Sequence, residues 1–169
     1  MNISILEDNI VQQYRIETII KEILEEHQLQ YHNFEVFGKP KQLLEAISEK
    51  GSHQVFFLDI EIKTEEKKGL DVAKKIREID PYAVIVFVTS HSELMPTAFK
   101  LQVGALDYLD KSLSKEIFKK RIETALLHTE SLTGKGLADD ALLFETPHTQ
   151  IQCHLRIFFI LKLPLVLTA

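Results

Sequence analysis

The chain is 169 residues long, 45% hydrophobic and 27% charged, with a formal net charge of −5. Such a composition builds one globular domain of ordinary size plus a small appendage, and the acidic balance argues against nucleic-acid binding by the chain as a whole. Cys153 is the only cysteine, which excludes an internal disulfide; MNISILEDNI lacks the basic opening and apolar core of a signal peptide, and no uncharged apolar run is long enough to span a membrane, so a cytoplasmic location is expected.

Short β-rich apolar runs alternate with helical patterns. ISIL, Ile3 to Leu6, reads as a first strand, and Ile16, Ile19, Ile20, Ile23 and Leu24 then recur at helical spacing. FEVF, Phe34 to Phe37, is a second strand, and Leu43, Leu44 and Ile47 mark a second helix. VFFLD, Val55 to Asp59, is a third strand; Leu70, Ala73 and Ile76 predict a third helix ahead of Pro81. AVIVFVT, Ala83 to Thr89, is apolar throughout, as a central parallel strand is. A short helix over Pro96 to Leu101 and a fifth strand, ALDYLD, Ala105 to Asp110, come next. The fifth helix starts near Ser114, a candidate N-cap, and carries Phe118, Ile122, Ala125 and Leu126 on one face. Five βα units over residues 1–128 predict an α/β fold, a doubly wound five-stranded parallel sheet with helices on both faces.

Ligands in such sheets sit at the carboxyl ends of the strands. The polar residues that finish the strands here are Glu7 and Asp8 after the first, Asp59 after the third, Thr89 and Ser90 after the fourth, and Asp110 and Lys111 after the fifth. Clustered carboxylates repel one another and require a cation, and oxygen donors with room for water suit Mg²⁺. The expected ligands are Asp8, Asp59 and the backbone carbonyl of Glu61, with Glu7 orienting a metal-bound water. In this reading Asp59 is a carboxylate nucleophile that accepts a phosphoryl group. Lys111 pairs with Asp59 or its phosphoryl group, and Thr89 donates a hydrogen bond to a phosphoryl oxygen.

This ordered set resembles the receiver domain of bacterial two-component response regulators, which have a flavodoxin-like fold. The resemblance implies that Asp59 is the phosphoacceptor and that Thr89 and Lys111 are switch and signalling residues. It also implies that Tyr108 is an aromatic that turns inward when Thr89 moves. LEDN, QQYRIET, FEVFGKPKQLL, FFLDIEI, IVFVTSHSELMP and ALDYLDKSLS further resemble the LytTR class, the AgrA and ComE/BlpR-like regulators that act downstream of peptide-pheromone sensor kinases. Two departures from the general receiver pattern are Ser112 after Lys111, where most receivers have proline, and the longer loop EIKTEEKKG after Asp59, which lacks the usual proline. The resemblance implies a sensor histidine kinase as phosphodonor, homodimerisation through helix 4, strand 5 and helix 5, and control of pheromone-responsive transcription. The expected protein is a phosphoacceptor, not a turnover enzyme.

TESLTGKGLADD, residues 129–140, reads as a linker, and residues 141–169 as a β-rich fragment with LLFET, IQCHL and IFFILKLPLVLT as strands. That fragment resembles the opening strands of a LytTR DNA-binding domain and is too short to complete one. Its ionic side chains are Glu145, Arg156 and Lys162, a poor supply for phosphate contacts, so promoter binding is expected only of a complete output domain. The alternative reading is an output-less receiver acting as an interaction or decoy module. A phosphohydrolase of the haloacid-dehalogenase type wants a second Asp where Glu61 stands. Cys153 and His154 have no partners at metal-ligand spacing, and the KTEEKK run, Lys63 to Lys68, reads as a solvated loop.

Overall fold

The computed structural model of the protein describes residues 1–48, 50–51, 53–62, 68–133, 141–146 and 149–154. It divides into two units, Met1–Thr133 and Gly134–Ala169. The first contains β1 (Asn2–Leu6), α1 (Ile10–Glu26), β2 (Asn33–Phe37), α2 (Pro40–Ala46), β3 (Gln54–Leu58), α3 (Lys68–Ile79), β4 (Val84–Thr89), a 3₁₀ turn (Ser92–Leu94), α4 (Met95–Lys100), β5 (Asp107–Asp110) and α5 (Lys115–Thr133). The second contains β6 (Ala141–Thr146) and β7 (Thr149–His154), paired antiparallel from Ala141 opposite His154 to Thr146 opposite Thr149. The third expected strand of that segment and the KTEEK part of the loop after Asp59 lie outside the described residues.

The five strands of the first unit are all parallel, in the order β2-β1-β3-β4-β5. β3 and β4 are buried along their whole length, as their apolar runs Val55 to Leu58 and Val84 to Val88 require. Alternate residues serve opposite layers. Ile3, Ile5, Val55, Phe57, Val86, Val88 and Leu109 pack under α1 and α5, against Ile16, Ile19, Ile20, Ile23, Leu24, Phe118, Ile122, Ala125 and Leu126. Leu6, Phe56, Leu58, Ile85 and Phe87 face the other way, against Leu43, Leu70, Ala73, Ile76 and Ala98 of α2, α3 and α4. Each such side chain, taken from water to full burial, contributes about 2 kcal/mol. The apolar residues read at helical spacing in the first, third and fifth helices are therefore the core faces of those helices.

Caps set the helix starts. The Asn9 side chain accepts from the N–H groups of Val11 (2.9 Å) and Gln12 (3.2 Å), so α1 begins directly behind the acid pair Glu7-Asp8. Pro40 occupies the first turn of α2, where its missing N–H is harmless. Ser114 caps α5 as expected, accepting from Ile117 N at 3.4 Å. At its other end α5 continues to Thr133, so the first five residues of the segment read as a linker are helical. Thr129 is fully buried there because its hydroxyl donates to the carbonyl of Ala125 at 2.9 Å, and Leu132 packs against the core. A polar composition thus conceals one more helical turn. Among the described residues, no helix is long and apolar enough to cross a membrane.

Candidate functional site

Parallel pairing puts every strand's carboxyl end on one edge. Leu6 lies opposite Leu58, Leu58 opposite Phe87, and Thr89 opposite Asp110. Glu7, Asp59 and Lys111 are each the first residue past a strand, and each still donates its N–H to a neighbouring strand. Glu7 N bonds Phe37 O (3.0 Å), Asp59 N bonds Leu6 O (2.8 Å) and Lys111 N bonds Thr89 O (2.9 Å). Their amides are therefore held by the sheet, while their side chains leave it together.

Those side chains converge. Carboxylate oxygens of Glu7, Asp8 and Asp59 all lie within 4.8 Å of one another. The Lys111 ammonium sits 2.6 Å from Asp59 Oδ2 and 2.5 Å from Glu7 Oε2, so one cation bridges two buried acids. Expected pairing with Asp59 is present, and pairing with Glu7 accompanies it. Burial raises the pKa of Glu7 above the ordinary carboxylate value, while the hydrogen bond and charge of Lys111 pull it back down. Glu7 Oε2 is fully enclosed and faces the Lys111 ammonium. Glu7 Oε1 accepts from Asn9 N at 3.1 Å. Three clustered carboxylates, those of Glu7 and Asp59 buried, fit a hard divalent cation with oxygen ligands. The backbone of Glu61 lies beside them, its N–H 3.3 Å from Asp59 Oδ1.

Thr89 is fully buried, and its hydroxyl oxygen accepts from His91 N at 3.1 Å. A hydroxyl that accepts one bond keeps its own hydrogen to donate. Tyr108 is turned inward. Its ring lies 5.8 Å from that of Phe87, and its hydroxyl donates to the carbonyl of His91 at 2.6 Å. Burial pushes the Tyr108 phenol up to about 12. The four residues Thr89, His91, Tyr108 and Phe87 form one connected unit beside the acid cluster.

Sequence reading missed two residues of this edge. The His91 imidazole joins the carboxylates of Glu61 and Glu93, tying the loop after β4 to the loop after β3. Its hydrogen bond to Glu93, aided by the Glu61 charge, holds the imidazole pKa above the usual histidine value. Gly69 opens α3 against the backbone that follows β3: its N–H donates to Ile60 O at 2.9 Å, and a Cβ there would fall 1.9 Å from the Asp59 carbonyl oxygen. Only the absence of a side chain allows that approach. No periodicity marks either residue; a glycine inside the first turn of a helical pattern was the one available sign.

Comparison with known proteins agrees with this geometry. Residues 3–123 match the response regulator receiver domain family. The accessory gene regulator protein A of Staphylococcus epidermidis strain RP62A is 33% identical over 143 residues, which cover 82% of this chain and 59% of that protein. Its namesake in Staphylococcus aureus strain N315 is 32% identical over 123 residues, 73% of this chain and 51% of that one. The chain thus spans little more than half the length of these relatives. Among solved structures, the response regulatory domain of protein mrkE from Klebsiella pneumoniae superposes with a TM-score of 0.57 at 26% identity, covering 79% of this chain and 96% of that domain. A five-stranded parallel sheet of flavodoxin-like order, with an acid cluster and a lysine at its carboxyl edge, and a family match over the same residues lead to one conclusion: the chain belongs to the response regulator receiver domain family and is the receiver of a two-component regulator related to accessory gene regulator A.

Proposed function

We propose that Asp59 accepts a phosphoryl group from the phosphohistidine of a sensor histidine kinase, in a Mg²⁺-dependent reaction. The observation that carries this is the bridging of Asp59 and Glu7 by Lys111, with Asp8 completing the acid cluster. Asp8, Asp59 and the Glu61 carbonyl would hold the ion, with Glu7 placing one of its waters. The ion would supply charge neutralisation on the phosphoryl oxygens. The chain's own groups do the rest. An Asp59 carboxylate oxygen attacks phosphorus in line; the O–P bond forms as the P–N bond to the donor histidine breaks, and the leaving imidazole takes a proton. Lys111 moves from the Asp59 carboxylate to a phosphoryl oxygen, where its charge offsets the negative charge that builds up. Thr89 donates its free hydrogen to another phosphoryl oxygen and so draws on the loop carrying His91.

The hydrogen bond from Tyr108 to His91 O links that loop to β5, which makes the pair the route from phosphorylation to the surface of α4, β5 and α5. That surface exposes Met95, Leu101, Leu106 and Ile117, apolar residues suited to a homodimer contact. In this reading the protein works in the cytoplasm as a switch on pheromone-responsive transcription. The test is exposure of the full chain to acetyl phosphate with Mg²⁺, followed by intact-protein mass spectrometry. One phosphoryl mass is expected on the native chain and none on Asp59→Ala; labelling that persists in the variant refutes the assignment.

A further inference from the structure

We infer that Arg15 is the positioning residue for Lys111, and through it sets the rate at which Asp59 is phosphorylated. This rests on the reading of Asp59 as phosphoacceptor given above. Lys111 works only if its ammonium reaches the acid cluster, and its backbone lies in the short loop between β5 and α5. The incoming end of that loop is held by the bond from Lys111 N to Thr89 O. Past Lys111, the loop's own bonds are local. Ser112 N donates to Asp110 Oδ1 at 2.7 Å and Leu113 N to Asp110 O at 3.2 Å. Such bonds tie the start of the turn to β5 and leave its far side, the carbonyls of Lys111 and Leu113, to be held from elsewhere.

Arg15 supplies that placement from α1. Its Nη1 donates to the carbonyl of Lys111 at 2.7 Å and its Nη2 to the carbonyl of Leu113 at 3.2 Å. The guanidinium carbon lies 4.4 Å from the ring centroid of Phe118, a fully buried residue of α5. A planar fork that grips two carbonyls and stacks on an aromatic ring fixes a loop in three directions, which an ammonium cannot do. The helix that carries Arg15 is the one capped by Asn9, whose N–H in turn holds Glu7. Arg15 therefore ties the loop bearing the cation to the element bearing the acids, so that Glu7, Asp59 and Lys111 hold one geometry. The arginine touches neither the carboxylates nor a phosphoryl group in this arrangement; it acts through Lys111.

The experiment is a mutant cycle on the full chain, with native protein, Arg15→Gln, Lys111→Met and the double variant. Readouts are the acetyl phosphate labelling rate and the Mg²⁺ affinity by calorimetry. Misplacing a catalytic group by about an ångström can slow a reaction by about a hundredfold, so Arg15→Gln is expected to label about ten to a hundred times more slowly. Its Mg²⁺ affinity should be native or higher, because the acids are untouched and a displaced ammonium competes less with the ion. In the Lys111→Met background the Arg15 substitution should change nothing further, since the group it positions is gone. If Arg15→Gln loses its fold, Arg15→Lys takes its place, with a smaller loss expected and the same silence in the Lys111→Met background. Multiplying effects, or an unchanged labelling rate in a folded single variant, overturn the inference. A native chain that takes up no phosphoryl group, or takes it up equally in Asp59→Ala, instead overturns the reading on which it rests.

Discussion

Replacing Lys111 by methionine tests the electrostatics of the site directly. The substitution keeps the unbranched apolar stem of the side chain and deletes its charge. The side chains of Lys111, Glu7 and Asp59 are 9%, 1% and 7% exposed, so the two carboxylates are left in a poorly solvated place with no compensating ammonium. Removing one member of a buried ion pair costs about 3–5 kcal/mol, and the partly exposed Asp8 side of the cluster argues for the lower end, about 3 kcal/mol. With a urea slope of about 2 kcal/mol per M, the unfolding midpoint in chelator should fall by about 1.5 M.

Two conditions should shrink that loss. Mg²⁺ at about a hundred times its dissociation constant adds about 2.7 kcal/mol to the protein that binds it, and the variant, with no ammonium competing for the acids, should gain more than the native chain. Acidity is the second. Glu7 has a raised pKa in the folded state, so the stability tied to its protonated form is full below the ordinary value of 4.5 and is lost as the pH climbs through the folded value. Without Lys111 the folded value rises further, so the chelator-treated variant should lose less at about pH 5 than at about pH 8. Urea titrations of both proteins, with chelator or Mg²⁺ and at both pH values, measure all of this. A midpoint shift below about 0.3 M, or a loss indifferent to metal and pH, would refute the view that Lys111 neutralises buried carboxylates.

Other substitutions separate the working edge from the scaffold. Gly69→Ala puts a methyl into the Asp59 carbonyl, so the loop after β3 must shift; a stability loss of about 1–3 kcal/mol and a slower acetyl phosphate reaction are expected, and a native labelling rate would mean that the close approach is dispensable. Tyr108→Phe keeps the ring on Phe87 and deletes the bond to His91 O, costing about 1 kcal/mol in urea titration. The raised phenol pKa means that the neutral form's stabilisation is full below the ordinary value near 10.0 and is lost as pH rises toward about 12, so ultraviolet titration should show a late-ionising tyrosine that this variant lacks. Asp80→Asn is the control at the opposite end of the sheet. Asp80 is fully buried and accepts from Gly51 N (2.9 Å), Tyr82 N (2.9 Å) and Gln54 Nε2 (3.4 Å). Its substitution should cost about 2 kcal/mol with the labelling rate of the folded protein unchanged.

The sequence by itself determined the sheet, the helices and which polar residues stand at the edge. An apolar period near 3.6 residues reports which side of a helix is dry, as in Ile16 to Leu24, and an unbroken apolar run such as Val84 to Val88 reports a strand covered on both faces. In an all-parallel sheet the strands also run the same way, so Glu7, Asp59, Thr89 and Lys111 had to meet at one edge wherever each strand began. What it did not determine was who holds whom there. That Lys111 spans two acids, that Arg15 grips a loop 96 residues away, that His91 joins Glu61 to Glu93, and that Gly69 leaves space for the Asp59 carbonyl all depend on distances between packed layers. Residue spacing encodes neighbours along the chain through backbone geometry. Those contacts are set by how α1, α3 and α5 settle on the sheet, which side-chain packing decides only once the whole domain has assembled.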